Sequence, residues 1–181
     1  MRIAILRVGP VDTGILHSVQ DGVRSTFPGT ECVIVGETMA IPREAFHTAR
    51  RQHHSTTILN AITDCARKLE SDRVLGVTDV DLYVPRLSFV FGEAQYLGKA
   101  AIISVHRLRP EFYGKTADEE LFTERSIKEA VHEIGHTLGL EHCKSAHCVM
   151  FFSNSILDTD RKKAAFCEKC YPRVMRSLRV G

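Results

Sequence analysis

The sequence predicts an α/β chain of the α+β kind, with helices packed against a sheet of short strands. Three observations carry this expectation. Short β-branched runs alternate with helical stripes through the N-terminal half. The first of these follow one another as run, stripe, run, an order that favours two parallel strands with a helix packed across them. At 181 residues the chain is the size of one compact domain, and no internal repeat, low-complexity tract or long linker divides it.

Residues 2–8 are apolar and β-branched enough for a buried first strand. Asp12 or Thr13 then offers a helix cap, and Ile15, Val19, Val23 and Phe27 recur every four residues until Pro28-Gly29 stops them. Residues 31–35 read as a second strand. Arg50, Arg51, His53 and His54 form the densest basic stretch, which reads as a solvated loop or helix face. Ser55 opens a second helix with Ile58, Ile62, Cys65 and Leu69 on one side. Cys65 on that stripe and Cys32 in the second strand read as small buried hydrophobes. Strands are expected at 74–77, 89–91 and 100–105, with a surface loop at 108–116 marked by Pro110 and Gly114. Asp79 and Asp81 read as a solvated turn in preference to a cation site.

An apolar content of 44% and a charged content of 25% suit a globular core. A formal charge of +2 is too small for a nucleic-acid or anionic-membrane partner, so neither is expected. The apolar run after Met1 is too short for a signal-peptide core, and no stretch has the roughly 18 apolar residues of a spanning helix. These features point to a cytoplasmic protein. Six cysteines in a reducing compartment read as metal ligands or core thiols before disulfides.

A third helix starts at Ser126, which with Glu129 fits a capping box, or at Thr123. At about 100° per residue, Ile127, Val131, Ile134 and Leu138 fall in one arc that faces the core. His132 and His136 project from nearly the opposite side, one turn apart, and so can bind one ion. The run from His132 to His142 is H-E-I-G-H-T-L-G-L-E-H. Glu133 lies on the flank of the histidine face, where its carboxylate reaches a metal-bound water without becoming a ligand. Gly139 ends the helix in the left-handed conformation that glycine adopts cheaply, and the chain turns back to present His142. Three protein ligands leave one vertex for water, the mark of a catalytic zinc site. No Ser-His-Asp set or phosphate-cradling glycine loop competes with this reading.

Downstream, Cys143, Cys148, Cys167 and Cys170 form two close pairs suited to a closed, structural four-thiolate zinc. Such a crosslink would brace a C-terminal lobe too short to bury much core. A dithiol redox role for C-E-K-C is the weaker reading, because that motif usually accompanies a βαβ unit. His147, between the pairs, is expected exposed or as an outer hydrogen-bond donor.

The extended histidine motif resembles the metzincin clan of zinc peptidases, and C-x4-C-x-M…C-x2-C after it narrows the resemblance to the archaemetzincins. The resemblance implies a minimal metzincin-like fold: a twisted mixed sheet with backing and active-site helices, and a small zinc-braced C-terminal lobe. It implies a single metallopeptidase domain over 1–181, with one lobe at 1–141 and another at 142–181. Met150 is then the methionine turn beneath the metal. Some metzincins carry a metal-reaching tyrosine two residues after that methionine; here Phe152 occupies the position, so no further protein ligand is expected. An extended substrate would line an edge strand within 89–94. The implied activity is hydrolysis of peptide bonds by a zinc-bound water activated by Glu133, as an aminopeptidase or narrow-specificity endopeptidase. Two zinc ions per chain are expected, one catalytic and one structural, with a peptide or protein as substrate and a monomer as the working state. The alternative is a non-catalytic zinc protein that binds partners through the four-cysteine lobe; the intact Glu133 argues against it.

Overall fold

The computed structural model describes residues 1–180. Strand β1 (Arg2–Val8) leads into helix α1 (Thr13–Thr26) and strand β2 (Glu31–Met39). Asp12 caps α1, its carboxylate accepting from the N–H groups of Gly14 and Ile15. β2 runs further than expected, and its register with β1 shifts between Ile5 and Arg7. Short strands β3 (Phe46–His47) and β4 (Gln52–His54) precede helix α2 (Ser55–Ala66). Then come β5 (Arg73–Thr78), β6 (Leu82–Tyr83), β7 (Gly92–Ala94) and β8 (Ala100–Ser104). Helix α3 (Glu119–Thr137) carries the histidine motif, and α4 (Ile156–Arg161) and α5 (Tyr171–Val180) follow it.

The main sheet has the order β2-β1-β5-β8-β7, parallel throughout except for β7, which pairs antiparallel with β8 and forms an edge. A second, three-stranded sheet, β3-β4-β6, sits apart. Alternation along the strands sorts the core into two layers. Ile3, Ile5, Leu75, Val77, Ala101 and Ile103 face α1 and α3, whereas Ala4, Leu6, Val74 and Ile102 face α2. Both faces are covered, which is why these strands read as continuous apolar runs.

Several sequence expectations need correction. Helix α3 begins at Asp118, whose carboxylate accepts from Leu121 N–H, not at Ser126 or Thr123. Ser126 is wholly buried, and its hydroxyl donates to the Phe122 carbonyl one turn back. The polar residues Arg125, Lys128 and Glu129 are also buried, so α3 has no solvated face over its second half. Residues 89–91 form no strand; Val90 makes only an isolated bridge to Leu82. Cys32 is fully buried as expected, but Cys65 is half-buried, its thiol near Met39 Sδ. The loop at 108–116 contains a 3₁₀ turn over Pro110–Tyr113. In the basic stretch Arg50 and Arg51 are exposed on a turn, as expected, although Arg50 also stacks over Tyr83 and donates to the carbonyls of Leu87 and Ser88, while His53 and His54 are half-buried in β4. Asp79 and Asp81 are partly buried counter-ions, Asp81 receiving both ends of the Arg107 guanidinium at 2.6 and 2.8 Å and Asp79 pairing with Arg109 at 2.9 Å.

Candidate metal centres and the pocket beside them

Helix α3 ends in a double hydrogen bond that fixes the path to His142. Gly139 N–H donates to the His136 carbonyl at 3.0 Å, and Leu140 N–H donates to the Gly135 carbonyl at 3.1 Å. Gly139 sits at φ +84°, the left-handed conformation this Schellman ending requires. The turn reverses the chain as the sequence predicts. His142 then stacks at 5.4 Å and 25° to His132, with its ring centroid 4.8 Å from that of His136.

The ligand nitrogens of His132, His136 and His142 all lie within 4.8 Å of one another. Their tautomers follow from their partners. His132 Nδ1 donates to the Val149 carbonyl at 2.7 Å, and His136 Nδ1 donates to the Leu140 carbonyl at 2.7 Å. A carbonyl oxygen can only accept, so each ring keeps its proton on Nδ1 and turns a bare Nε2 lone pair inward. Those two Nε2 atoms are 3.1 Å apart. Burial holds His132 well below the ordinary imidazole range, with Lys162 and the other histidines adding to it, so a proton shared between the rings is disfavoured. Burial likewise lowers His136 and His142. Two facing lone pairs need a cation, and tetrahedral zinc with bonds of about 2.0–2.1 Å separates its nitrogens by about 3.3 Å. The donor set fits zinc.

Glu133 is 5% exposed. Burial first, then the neighbouring Glu129, push its carboxyl well above the usual carboxylate range, and Lys162 opposes them. A carboxylate raised in this way is a stronger base than a solvated one, which suits it to taking up a proton. Its position depends on a residue that pattern reading missed. A Cβ on Gly92 would lie 2.7 Å from both Cγ and Oε1 of Glu133 and 2.7 Å from the Ile102 carbonyl. Only an absent side chain lets the edge strand come this close. Ser104 N–H bonds Phe91, Gln95 N–H bonds Ala100, and Glu93 stands opposite Ile102. The backbone groups of Gly92 and Ala94 therefore point away from β8, towards the free edge.

Gly135, inside the histidine motif, was also not singled out. Its missing Cβ would meet Met150 Sδ at 2.5 Å, so the fully buried Met150 lies directly against the helix between the two histidine turns. The Met150 carbonyl accepts from Cys143 N–H at 2.8 Å, linking the methionine to the residue after His142. Phe152 packs on the His142 ring at 4.8 Å and offers no donor, in line with its composition.

The four thiols of Cys143, Cys148, Cys167 and Cys170 also lie within 4.8 Å of one another, with Cys143 and Cys167 Sγ atoms 3.8 Å apart. All are free of disulfides. Zinc–thiolate bonds of about 2.3 Å span tetrahedral edges of about 3.8 Å. Burial tends to raise the Cys167 thiol, but backbone N–H groups of Cys170 and Lys169 and the facing thiols bring it down to about 7. Burial and the Cys148 charge raise Cys170, as expected where thiolates crowd without a cation. His147 is exposed and donates to the Arg161 carbonyl at 3.2 Å, outside the cluster.

A cavity of about 210 Å³ opens beside His132 and Glu133, walled by 87–92 on one side and by Phe152, Ser153 and Asn154 on the other. Glu129 forms part of its lining. Behind Glu129 is an unexpected buried network. Lys162 (0% exposed) pairs with Glu129 Oε1 at 2.9 Å, and the Thr159 hydroxyl donates to the same oxygen at 2.9 Å. No helix among the described residues is long and apolar enough to cross a membrane.

The model of peptidase family M54 matches residues 14–176. An archaemetzincin from Methanocaldococcus jannaschii is 44% identical over 174 residues, 96% of this chain and 93% of that protein. The crystal structure of a zinc-dependent peptidase from Methanocorpusculum labreanum superposes with a TM-score of 0.86 at 30% identity, covering 95% of this chain and 99% of the other. An archaemetzincin structure from Methanopyrus kandleri gives a TM-score of 0.81 at 35% identity, covering 99% and 96%.

Proposed function

This chain belongs to peptidase family M54, the archaemetzincins, and is a zinc metallopeptidase; on that premise we propose that His132, His136 and His142 hold the catalytic zinc and that Glu133 is the general base. The observation that supports this most is the pair of inward-facing Nε2 atoms 3.1 Å apart, each ring locked by a backbone carbonyl. When bound, zinc supplies an acidified water and a Lewis acid for the scissile carbonyl. Glu133 takes a proton as attack proceeds and hands it to the leaving amine, and its raised basicity suits both transfers. The Gly92 and Ala94 backbone groups offer an extended peptide a strand to pair with, which would hold the scissile bond across the histidines.

Cys143, Cys148, Cys167 and Cys170 are the proposed ligands of a second, structural zinc, giving two ions per chain. We take 1–181 as one working domain, the lobe at 142–181 closing the site carried by 1–141. Whether the enzyme acts as an aminopeptidase or as a narrow-specificity endopeptidase is decided by the same experiment. A peptide library is incubated with zinc-loaded protein and with Glu133→Gln, and cleavage positions are mapped. Hydrolysis in the parent and its loss in the variant, with zinc retained, is the expected result. Undiminished hydrolysis in Glu133→Gln would remove Glu133 from the mechanism.

A further inference from the structure

The cavity beside Glu133 is built more elaborately than a site for an apolar side chain requires. Glu129 lies one helical turn from Glu133, is 3% exposed and lines the cavity. Its Oε1 carries the contacts to Lys162 and Thr159, while Oε2 accepts no hydrogen bond among the described residues. Ser153 Oγ, in the opposite wall, is buried without any partner. Glu129 Oε2 and Ser153 Oγ thus lack protein partners on residues that line the cavity, and each can accept from an N–H donor brought against it. The remaining wall is largely aromatic, from Phe89, Phe91 and Phe152, suited to packing the aliphatic stem of a long side chain. Lys162 does not line the cavity and is sealed behind Glu129, so an incoming group meets the carboxylate end of the pair.

The mechanism fixes which substrate residue reaches this place. Glu133 returns its proton to the leaving amine, so the residue bearing that amine sits on the Glu133 side. We propose that this cavity receives the side chain of that residue and selects a basic one, lysine or arginine, through Glu129 and Ser153. Lys162 and Thr159 act as positioning residues. Lys162 pairs with Glu129 and, together with Thr159, holds its Oε1 so that Oε2 is left for the ligand. An acidic side chain would bring a third carboxylate beside Glu129 and Glu133. This selectivity rests on the peptidase reading above, and its test therefore includes a measurement that needs no hydrolysis.

Zinc-loaded protein is given peptides that differ only in the residue after the cleaved bond: lysine, arginine, leucine, glutamine or glutamate. In parallel, binding of product-like peptides beginning with lysine, leucine or glutamate is followed by fluorescence anisotropy. Lysine and arginine are expected to exceed leucine by about tenfold in kcat/KM and in affinity, the effect of one charge-assisted hydrogen bond, with glutamate the poorest. Glu129→Gln combined with Lys162→Met avoids stranding a buried ammonium and should abolish the basic preference. Ser153→Ala, a milder change, should reduce it severalfold with folding intact. Equal or better use of leucine or glutamate in both measurements overturns the proposal, as does a basic preference that survives both variants. Lysine-selective binding without cleavage of any peptide would uphold the cavity's selectivity and count against the catalytic reading instead.

Discussion

Replacing Gly135 by alanine tests whether the contact between helix and methionine governs the metal site. Alanine is the better helix former, and in an unconstrained helix the change would stabilise by about 0.5–1 kcal/mol. Here the new Cβ would stand 2.5 Å from Met150 Sδ and 3.1 Å from its Cε, with Phe166 at 3.6 Å behind. Ordinary contact distances are about 3.5–4.0 Å, so the overlap is about 1 Å. Met150 is flexible in principle but has no exposed surface to move into. Overpacking of this kind costs about 1–3 kcal/mol, which set against the helical gain of about 0.5–1 kcal/mol leaves a net loss of up to about 2.5 kcal/mol. Denaturant unfolding of the zinc-replete protein measures that loss directly. Because the Met150 carbonyl holds Cys143 next to His142, zinc retention by the histidines should weaken in the same variant. The double variant Gly135→Ala with Met150→Ala should recover part of the penalty, since the smaller side chain leaves room. A Gly135→Ala protein as stable as the parent, with unaltered zinc affinity, would refute the reasoning.

Gly92→Ala forces either Glu133 or the edge strand to move; kcat should fall by about 100-fold for a displacement near 1 Å, with zinc content and unfolding midpoint little changed, and full activity would show that β7 does not set the position of Glu133. Cys167→Ser should release one zinc per chain and lower the thermal midpoint, so an unchanged melting curve with two zinc ions retained would remove the structural site. Arg125→Ala strands Asp160 and the Leu108 carbonyl and should cost about 3 kcal/mol in denaturant unfolding; a loss below about 1 kcal/mol would mean that the pair is not structural. In chelator-treated Glu133→Gln, the histidines are held below the ordinary value of 6.5, so the unfolded chain binds more protons as pH falls past that value. Their contribution to stability is complete above it and lost below it, and unfolding midpoints that do not fall between about pH 7.5 and pH 5 would contradict the burial argument.

The two clusters proposed to hold metal are legible in the sequence because their logic is local. Histidines one turn apart, a glycine stop and close cysteine pairs depend on spacing within a few tens of residues, and the structure brings each set together. Edge strand β7 lay within the expected stretch, but its useful part is Gly92–Ala94, and nothing in the pattern revealed that Gly92 yields its space to Glu133. What sequence could not reveal is charge that folds inward. Arg125, Lys128 and Glu129 look like a solvated helix face and imitate a helix start, yet their partners Asp160 and Lys162 arrive from more than thirty residues away. Asp79 and Asp81 misled for the same reason, since Arg107 and Arg109 meet them only after β8 has crossed the sheet. Long-range neutralisation leaves no periodic trace.

The His132 ring takes its orientation from the Val149 carbonyl, and the turn bearing His142 is tied to the Met150 carbonyl through Cys143. Both anchors follow α3 in the chain. A nascent chain that has already completed its sheet and α3 would still lack the groups that orient the imidazoles. Hydrolytic power should accordingly appear only once residues 143–150 have packed back onto α3.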